Sequence, residues 1–306
     1  MKILVTGGLG FIGSHLVDLL IENGHNVIIV DDLSAGSMDN LNPQAKLYQM
    51  DIMAPAFDHV FETEHFDIVY HLAAQINVQT SIINTVFDAR VNIMGTISVL
   101  ECVKKHGVKK LIYASSAAVY GEPHYLPVNE KHPTNPVSYY GISKYVPEYY
   151  IRTYSDMYHF DYTILRYSNV YGERQCIDGE GGIVSIITNC FINQLALTIY
   201  GSGEQTRDFI YVKDIAKANL LALDRGSKET FNISTSVHTS VNQLFQIMQS
   251  IYGCEICPNY TQEREGDIRD SYLCNQKARD LLGFVPEYTL HQGLANTIDH
   301  YRNRKV

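Results

Sequence analysis

KILVTGGLGFIG, residues 2–13, is the stretch that decides the fold of this chain. Residues 2–6 form a short apolar run of the kind found in a buried parallel strand. Glycines follow at once, and residues 14–21 then carry apolar side chains at helical spacing. Glycines between a strand and a helix are the setting of a dinucleotide-binding turn, so this stretch predicts one.

Two glycine spacings fit that turn, and Gly10 and Gly13 belong to both. Gly8 would complete the pattern G-x-G-x-x-G, whereas Gly7 would complete an even spacing of three residues. One glycine makes the tight turn, one lets the backbone approach a pyrophosphate, and one lets the helix pack closely on the strand. The N–H groups at the helix N-terminus would then bind the anion.

A second predicted strand, Asn26–Val30, ends in two acidic residues, Asp31 and Asp32. In dinucleotide-binding folds an acidic side chain at this strand end hydrogen-bonds the adenosine ribose hydroxyls and repels a 2′-phosphate. The acidic strand end therefore favours NAD over NADP as the cofactor.

Strands and helices alternate through the first half of the chain. Further strands are predicted at Lys46–Met50, Asp67–Leu72, Lys110–Ala114 and Thr163–Arg166, and long helices at Phe87–Gly107 and Tyr139–Tyr158. This alternation predicts an α/β fold, a Rossmann-type doubly wound parallel sheet with right-handed crossovers. Ligands gather at the carboxyl ends of such strands, where the sequence places Asp31, Asp51, Ala73, Ser115 and Ser116.

Tyr140 and Lys144 stand four residues apart in the second of these helices. That spacing places both side chains on one helix face. A neighbouring ammonium stabilises a phenolate, so we expect the pKa of Tyr140 to lie below its usual value of about 10. Such a tyrosine can act as a general base toward a hydroxyl. The spacing alone fits an exposed helical pair equally well, because the chain has 22 tyrosines.

The composition argues against several other classes of protein. A formal net charge of −9 over 306 residues does not suit a general nucleic-acid binder, which needs a basic face. No run of about 18 apolar residues occurs, so no membrane span is expected, and the N-terminal apolar run is too short for a signal peptide. Cys254 and Cys257 lack a second pair of ligands at metal-binding spacing. We expect a cytoplasmic protein without a metal site.

Short motifs along nearly the whole chain match one protein family. They are Thr6–Gly13 (TGGLGFIG), Asp31–Ser34 (DDLS), His71–Ala74 (HLAA), Asn92, Ala114–Gly121 (ASSAAVYG), Tyr140–Lys144 (YGISK), Arg166–Asn169 (RYSN), Thr206–Asp214 (TRDFIYVKD) and Arg264–Asp267 (REGD). With them the chain resembles the extended short-chain dehydrogenase/reductase family, specifically the nucleotide-sugar epimerases of the UDP-glucose and UDP-N-acetylglucosamine 4-epimerase type. These motifs are more specific for the family than for the substrate.

The resemblance implies a catalytic triad of Ser116, Tyr140 and Lys144. Tyr140 would take the proton of the sugar 4-hydroxyl, Lys144 would bind the nicotinamide ribose, and Ser116 would hold the hydroxyl. Tightly bound NAD would accept hydride from C4 and return it to the opposite face, so that it is regenerated in each turnover. Ser116 is preferred because the family's catalytic residue immediately precedes an Ala-x-Val-Tyr segment. Ser115 would then face the nicotinamide.

The resemblance also implies the residues that bind the ligands. For NAD they are Gly7, Gly10, Phe11, Ile12, Gly13, Asp31, Asp51, Ile52, Leu72, Ala73, Ala74, Gln75, Asn92, Ser115, Tyr140 and Lys144. For a UDP-sugar they are Ser116, Asn169, Arg207, Arg264, Asp267 and Ser271. The two arginines would pair with the diphosphate.

Ser271 bears on the choice of sugar, because the fourth residue after the Arg264–Asp267 motif borders the sugar pocket in the epimerases. A small residue there resembles enzymes that admit N-acetylated sugars. We therefore expect UDP-GlcNAc and UDP-GalNAc to fit as well as UDP-glucose and UDP-galactose. A shift of one residue would bring Tyr272 to this place and reverse the expectation.

Other activities of the same fold are less well supported. A nucleotide-sugar 4,6-dehydratase usually has an Asp-Glu pair just after the catalytic Ser or Thr, where this chain has Ala117 and Ala118. A decarboxylase, or a reductase that turns over free cofactor, is a further alternative. A catalytically silent NAD-binding regulatory protein would not need an intact triad.

The domain plan and assembly follow from the same reading. We expect an NAD-binding domain over 1–170 with a return segment at 208–222, and a nucleotide-sugar-binding domain mainly over 171–306. The family implies a homodimer formed through the helices Phe87–Gly107 and Tyr139–Tyr158. Pro147 lies inside the second helix, where it removes a hydrogen bond and clashes with the carbonyl of Ser143. A kink or local widening is expected there.

Overall fold

A seven-stranded parallel sheet forms the centre of the part of the chain that the computed structural model describes, residues 1–176, 182–253, 255–263 and 268–303. The strands are β1 (Lys2–Thr6), β2 (Asn26–Asp31), β3 (Lys46–Gln49), β4 (Ile68–His71), β5 (Lys110–Ser116), β6 (Asp161–Tyr167), β7 (Asn169–Tyr171), β8 (Thr198–Tyr200), β9 (Thr206–Arg207), β10 (Phe209–Tyr211), β11 (Glu229–Ile233), β12 (Thr239–Ser240), β13 (Asn259–Thr261) and β14 (Asp270–Ser271). The α-helices are α1 (Phe11–Glu22), α2 (Ala56–Glu64), α3 (Val78–Ile83), α4 (Thr85–Ala89), α5 (Gly95–His106), α6 (Tyr139–Tyr158), α7 (Ile183–Asn193), α8 (Val212–Leu221), α9 (Val241–Tyr252) and α10 (Leu290–Asn303). Short 3-10 turns lie at Met38–Asn40 and Ala117–Val119, and π turns at Arg90–Met94 and Ala278–Leu282. Among these helices, none combines the length and the apolar character that crossing a bilayer requires.

The strand order of the central sheet is β11-β6-β5-β4-β1-β2-β3, with every neighbouring pair parallel. From β1 the chain runs outward through β2 and β3, then returns to β4 on the other side of β1. The order therefore reverses between β1 and β4, and the carboxyl ends of these two strands flank the crevice where such folds bind ligands. The predicted doubly wound α/β fold is confirmed.

The central strands contribute side chains to two apolar cores, because successive residues of a strand point to opposite faces of the sheet. Ile3 of β1 packs with Leu16 of α1 and Ile215 of α8. Leu4 lies in the core on the other face, together with Val99 of α5. A sheet covered on both faces can be apolar throughout, which explains why these strands have unbroken apolar sequences.

The second half of the chain adds to the sheet and builds a further core. β7 pairs with β10, α8 packs on the same face of the sheet as α1, and β11 pairs with β6 at the sheet edge. α7, α9 and α10 pack around a core that includes Phe191, Leu244 and Leu294. β11 is missing from the predicted strands because its residues, ETFNI, are of mixed polarity and give no apolar run.

The two long predicted helices differ in their regularity. α6 keeps α-helical geometry from Tyr139 to Tyr158, so the widening expected at Pro147 is wrong, whereas a bend of the axis stays a prediction. Pro147 is buried, and we attribute the regular geometry to its packing. The widening occurs instead in the other helical stretch, where the π turn Arg90–Met94 joins α4 to α5. π turns are frequent at functional sites.

Candidate active site

The turn between β1 and α1 has two positions that only glycine can occupy. Gly7 has φ +71°, and a Cβ there would lie 2.7 Å from the backbone nitrogen of Ala73. A Cβ on Gly13 would lie 2.1 Å from the carbonyl oxygen of Gly7. A Cβ on Gly8 would instead meet a side chain, 2.8 Å from Cγ2 of the buried Ile29. The two glycines that backbone contacts require, Gly7 and Gly13, both belong to the even spacing that starts at Gly7.

The start of α1 lies in this turn and is open to an anion. Gly10 is the residue before the helix, and no side chain caps the first N–H groups, those of Phe11, Ile12 and Gly13. A helix N-terminus beside glycines that permit close backbone approach is suited to a pyrophosphate. The residues of the turn therefore fit a dinucleotide such as NAD.

Asp31, the last residue of β2, lies buried beside the glycine turn. Its carboxylate accepts the backbone N–H groups of Leu9 and Leu33, each at 2.9 Å, and burial raises its pKa. A Cβ on Gly36 would come within 2.8 Å of the same carboxylate. Asp31 thus holds the glycine turn in place, and its contact with the adenosine ribose stays a prediction.

The segment after β3 contains the next two predicted cofactor residues. Asp51 is exposed, and its carboxylate accepts the backbone N–H of Met53 at 2.8 Å. Ile52 is buried, and its carbonyl accepts a hydrogen bond from Ser98 Oγ of α5 at 2.7 Å. The segment is therefore anchored to α5, and a role of these residues beside the adenine stays a prediction.

His71, at the end of β4, is the centre of a hydrogen-bond chain that joins three elements. The Thr6 hydroxyl lies 2.8 Å from His71 Nδ1, and His71 Nε2 lies 3.0 Å from the Thr96 hydroxyl. Because Thr96 donates its own proton to the carbonyl of Asn92 at 2.6 Å, Nε2 is the protonated ring nitrogen. Burial lowers the pKa of His71 to about 3, so the ring is neutral. β1, β4 and α5 are thereby joined at the crevice.

Asn92 and Gln75, both predicted to contact NAD, bind each other. The Asn92 amide oxygen accepts the backbone N–H of Gln75 at 2.8 Å, and the amide nitrogen donates to the Gln75 carbonyl at 2.9 Å. The Asn92 amide also donates to Ser143 Oγ at 2.9 Å, and the Gln75 amide donates to Asp88 Oδ1 at 2.7 Å. Both side chains are buried and hydrogen-bonded to protein partners, which positions the loop after β4. A contact of either residue with NAD stays a prediction. Partly exposed at this strand end are Leu72, Ala73 and Ala74.

Ser116, Tyr140 and Lys144 come together at the carboxyl end of β5. Ser116 is the last residue of that strand; its Oγ accepts the backbone N–H of Ala118 at 3.2 Å and lies close enough to the Tyr140 phenol to favour its ionised form. Tyr140 lies in the first turn of α6, and its backbone N–H donates to Ser81 Oγ at 3.2 Å, which anchors the helix start. Lys144 follows one turn later, with its ammonium 5.0 Å from the centre of the Tyr113 ring.

Burial governs the ionisation of both Tyr140 and Lys144. The pKa of Tyr140 is raised, chiefly by burial, and the nearby Ser116 hydroxyl opposes this only in part. The pKa of Lys144 falls to about 8, again through burial, although Asp88 and Glu148 favour its charged form. The expectation that the pKa of Tyr140 is lowered is therefore wrong for the protein alone, because desolvation disfavours the phenolate.

Ser115 is directed into the protein interior. Its hydroxyl donates to Glu148 Oε1 at 2.7 Å, and the residue is 3% exposed. Neighbouring residues of a strand point to opposite faces, so the geometry of β5 separates the two adjacent serines. The contact between the Ser115 side chain and the cofactor stays a prediction, whereas Ser116 meets Tyr140.

β9 lies between β12 and β14 and brings two predicted substrate residues side by side. Arg207 is paired with Ser271 across the parallel ladder and with Thr239 on its other side. The Arg207 guanidinium donates to the carbonyls of Thr206 at 2.8 Å and of Arg269 at 3.2 Å. Paired residues of neighbouring strands lie on the same face, so Arg207 and Ser271 border one surface.

Of the three remaining predicted substrate residues, the structure describes one, Asn169. Asn169 starts β7 with an exposed side chain, and its backbone N–H donates to the carbonyl of Asp208 at 2.9 Å. Arg264 and Asp267 lie outside the described residues, as does Cys254. Within the described ranges, no group of three His, Cys, Asp or Glu side chains is arranged to hold a metal ion.

Comparison with known proteins gives a match over most of the chain. The model of the NAD dependent epimerase/dehydratase family matches residues 3–234. The chain belongs to this family. It is therefore an enzyme of a family that uses NAD, in agreement with the glycine turn at β1.

Relatives of this epimerase/dehydratase cover its whole length. A putative UDP-glucose 4-epimerase of Methanocaldococcus jannaschii is 48% identical over 302 residues, 98% of each chain. The crystal structure of the UDP-glucose 4-epimerase of Thermotoga maritima with UDP-glucose has a TM-score of 0.98 and 43% identity, covering 100% of both chains. The UDP-N-acetylglucosamine 4-epimerase of Methanobrevibacter ruminantium, in complex with UDP-N-acetylmuramic acid, has a TM-score of 0.94 and 34% identity, covering 99% of this chain and 98% of that one.

Two buried acidic residues beside the triad of this epimerase/dehydratase were not predicted from the sequence. Asp88 and Glu148 are 1% and 0% exposed, and both favour the charged form of Lys144. Glu148 stands four residues after Lys144, the spacing of neighbours on a helix face, which could have indicated it. Asp88 has no such spacing to Lys144 in the sequence. It lies on α4 and comes close to the triad only because α4 packs against α6.

The buried Lys144 ammonium should lower the free energy of unfolding of this epimerase/dehydratase at neutral pH, compared with an uncharged side chain at the same position. Its folded pKa is about 8, against about 10.4 for an unfolded lysine. The penalty is complete below pH of about 8 and disappears as the pH rises to about 10.4, because the unfolded chain holds more protons in that window. Lys144→Met should raise the free energy of unfolding at neutral pH by up to about 3 kcal/mol.

Urea denaturation of the protein freed of nucleotide, at neutral and alkaline pH, measures this effect. Lys144→Met should gain most at neutral pH and little at high pH. Lys131→Met is the matched control, because Lys131 is exposed and its substitution removes no buried charge. A Lys144→Met protein less stable than the wild type at neutral pH would contradict the assignment.

Proposed function

We propose that the protein is an NAD-dependent 4-epimerase of UDP-hexoses, acting on UDP-glucose and UDP-galactose and also on UDP-GlcNAc and UDP-GalNAc. The observation that carries the proposal is the placement of the Ser116 hydroxyl beside the Tyr140 phenol, with Lys144 one helical turn away, next to the crevice that holds the glycine turn. The relatives named above, which act on UDP-sugars by their names, support the substrate class.

NAD, held by the glycine turn, would supply the redox chemistry as the acceptor and donor of the hydride at sugar C4. Tyr140 takes the proton of the 4-hydroxyl and gives it back in the second step. Ser116, whose hydroxyl lies beside the Tyr140 phenol, holds the sugar 4-hydroxyl. Lys144, largely protonated at neutral pH because its pKa is about 8, supplies the positive charge that favours a phenolate.

Inversion at C4 requires that the sugar presents both faces in turn. We propose that Asn169, Arg207 and Arg264 hold the diphosphate and Asp267 binds the uridine ribose, while the sugar end is held loosely near Ser271. Guanidinium groups suit diphosphate oxygens because they form paired hydrogen bonds. In this division residues 1–170 and 208–222 form the NAD side, and 171–306 mainly the nucleotide-sugar side.

Product analysis without added NAD tests the proposed function. The purified protein is incubated with UDP-glucose, UDP-GlcNAc and UDP-glucuronic acid in separate reactions. Epimerisation of the first two, with cofactor retained, is expected. A 4-keto-6-deoxy product would instead indicate a dehydratase, loss of carbon dioxide from UDP-glucuronic acid a decarboxylase, and no product with NAD still bound a regulatory protein. Alanine at 117 and 118 argues against the dehydratase, because neither side chain can carry a proton.

Ser271→Tyr tests the breadth of the sugar pocket. Ser271 of β14 is paired with Arg207 of β9, the residue proposed to bind the diphosphate, so it should border the sugar pocket. A tyrosine at this position should fill space that an N-acetyl group needs. We expect activity on UDP-GlcNAc to fall at least tenfold, because a steric change of even about one methylene in a pocket alters specificity by roughly 10-fold or more. Activity on UDP-glucose should be retained. Tyr272→Phe is the control, since the Tyr272 ring packs against His238 at 5.0 Å. Equal loss on both sugars would contradict the assignment.

We further propose that the enzyme is a cytoplasmic homodimer that pairs through α4 and α6. Exposed apolar side chains cluster on these helices and on α3 beside them, including Val86 at 80% and Met157 at 62% exposure. Sedimentation should show a dimer that Val86→Glu converts to a monomer, while Val237→Glu, at an exposed position elsewhere, leaves it intact. A monomeric wild type would refute the dimer, and fractionation of cells tests the location.

A further inference from the structure

Glu148 is a buried carboxylate with four hydrogen bonds from three partners. It lies on α6 with 0% exposure, one turn after Lys144. Oε1 accepts from Ser115 Oγ at 2.7 Å and from Arg166 Nε at 2.9 Å. Oε2 accepts from Arg166 Nη2 at 2.6 Å and from Arg152 Nη2 at 2.8 Å. Each oxygen thus binds two donors, which occupies the carboxylate completely.

The pair formed by Glu148 and Arg166 is rigid and enclosed. Arg166 is 4% exposed, and its guanidinium lies 4.8 Å from the centre of the Tyr120 ring. The two parallel hydrogen bonds of a guanidinium–carboxylate pair fix orientation as well as distance. The Tyr120 hydroxyl in turn donates to Asn232 Oδ1 at 2.7 Å, which connects the pair to β11.

Two of the three elements joined at Glu148 carry residues of the proposed reaction. Ser115 precedes Ser116 on β5, and Glu148 shares α6 with Tyr140 and Lys144. Arg166 lies on β6, the strand between β5 and β11. One carboxylate therefore joins the strand that ends in the serine to the helix that begins with the tyrosine.

Stability alone is a poor explanation for such a pair. Replacing a buried ion pair by apolar residues of similar size is often neutral or stabilising, because two desolvated charges gain little from each other. A pair with all its hydrogen bonds made does specify geometry. The residue that gains from exact placement here is Tyr140, because a misplacement of about 1 Å at a reacting group can slow a reaction about 100-fold.

We propose that Glu148, paired with Arg166 and Ser115, is a positioning residue that sets the separation between the Ser116 hydroxyl and the Tyr140 phenol. The kinetic part of this inference rests on the proposed function, and the geometric part does not. Glu148 touches neither substrate nor cofactor, so its effect should reach catalysis only through the placement of β5 and α6.

Three variants test the positioning role. Glu148→Gln keeps the shape but removes the charge and two acceptor sites, and Glu148→Asp keeps the charge but withdraws it by one methylene. The double variant Glu148→Met with Arg166→Met removes both partners and leaves an apolar core. Glu101→Gln is the matched control, because Glu101 also joins two helices, accepting from Tyr154 Oη at 2.6 Å, but on an exposed surface.

We expect Glu148→Gln to lower kcat on UDP-glucose about 100-fold with little change in KM, and Glu148→Asp to recover part of this loss. The double variant should regain the melting temperature lost in Glu148→Gln without regaining kcat. In crystal structures of Glu148→Gln, the distance between Ser116 Oγ and Tyr140 Oη should be longer than in the wild type. Glu101→Gln should leave all of these unchanged.

The positioning role is overturned if Glu148→Gln keeps wild-type kcat, if the double variant regains kcat together with stability, or if the Ser116–Tyr140 distance is unchanged. Should Glu148→Gln fail to fold, the double variant and Glu148→Asp still give the kinetic and geometric comparison. A wild type that converts no UDP-sugar refutes the proposed function instead, and the distance in the variant still decides the positioning role.

Discussion

Tyr140→Phe should lower kcat on UDP-glucose by roughly 10²–10⁴-fold while the protein keeps its fold and its bound NAD. The change removes one hydroxyl, the one that lies beside Ser116. It leaves the ring packed at the start of α6, and the backbone N–H of residue 140 still donates to Ser81 Oγ. Initial rates, thermal unfolding and release of nucleotide on denaturation measure the three quantities.

Tyr139→Phe is the matched control for this experiment. Tyr139 is the neighbouring residue of the same helix, but its side chain is 48% exposed. Loss of its hydroxyl should leave kcat and stability close to those of the wild type. Near-normal turnover by Tyr140→Phe would refute the assigned base, and equal losses in both variants would point to a disturbed helix rather than to lost chemistry.

Gly13→Ala should abolish tight NAD binding and destabilise the fold. The added Cβ would lie 2.1 Å from the carbonyl oxygen of Gly7, and neither atom belongs to a side chain that can rotate away. α1 must then move away from β1, which opens the turn that approaches the pyrophosphate. Overpacking of this kind typically costs about 1–3 kcal/mol. Urea denaturation and the NAD content of the purified protein measure both effects.

Gly182→Ala separates this clash from the general effect of replacing a glycine. Among the residues that the structure describes, a Cβ on Gly182 would meet only Gln175 Nε2, at 3.8 Å. Its stability should therefore match the wild type within about 0.5 kcal/mol. Gly10→Ala is an intermediate case, since its Cβ would lie 3.3 Å from the Gly7 carbonyl. Gly13→Ala protein that retains full NAD content would contradict the proposed fit of the turn.

Most of the sheet was predictable because buried parallel strands are continuous apolar runs bounded by glycine and polar residues. β1, β2 and β4 show this pattern, and the alternation with helices gives their parallel arrangement. β11 was not predictable, because a mixed run such as ETFNI forms an edge strand only when β6 is there to pair with it. The π turn at Arg90–Met94 likewise depends on contacts made around it, including those of Asn92.

The candidate site was predicted in its members but less well in their roles. The motif of β5 indicated Ser116 over Ser115, and the alternation of the strand agrees. Asn92, Gln75 and Ser115 have side chains that bind protein partners in the structure and so position the loop after β4 and the end of β5. Their contacts with the cofactor stay predictions. Sequence spacing does not indicate which hydrogen-bond partner a buried amide or hydroxyl group will find.

The amino-acid sequence by itself determined the glycine turn after β1, the acidic end of β2 and the Tyr140–Lys144 spacing, because each is a pattern of residues only a few positions apart in the chain. Only the tertiary structure decided that burial raises the pKa of Tyr140 and lowers that of Lys144. It also decided that Glu148 joins α6 to β5 and β6. Desolvation and long-range hydrogen bonds depend on the packing of segments distant in the chain, and local patterns contain no measure of them.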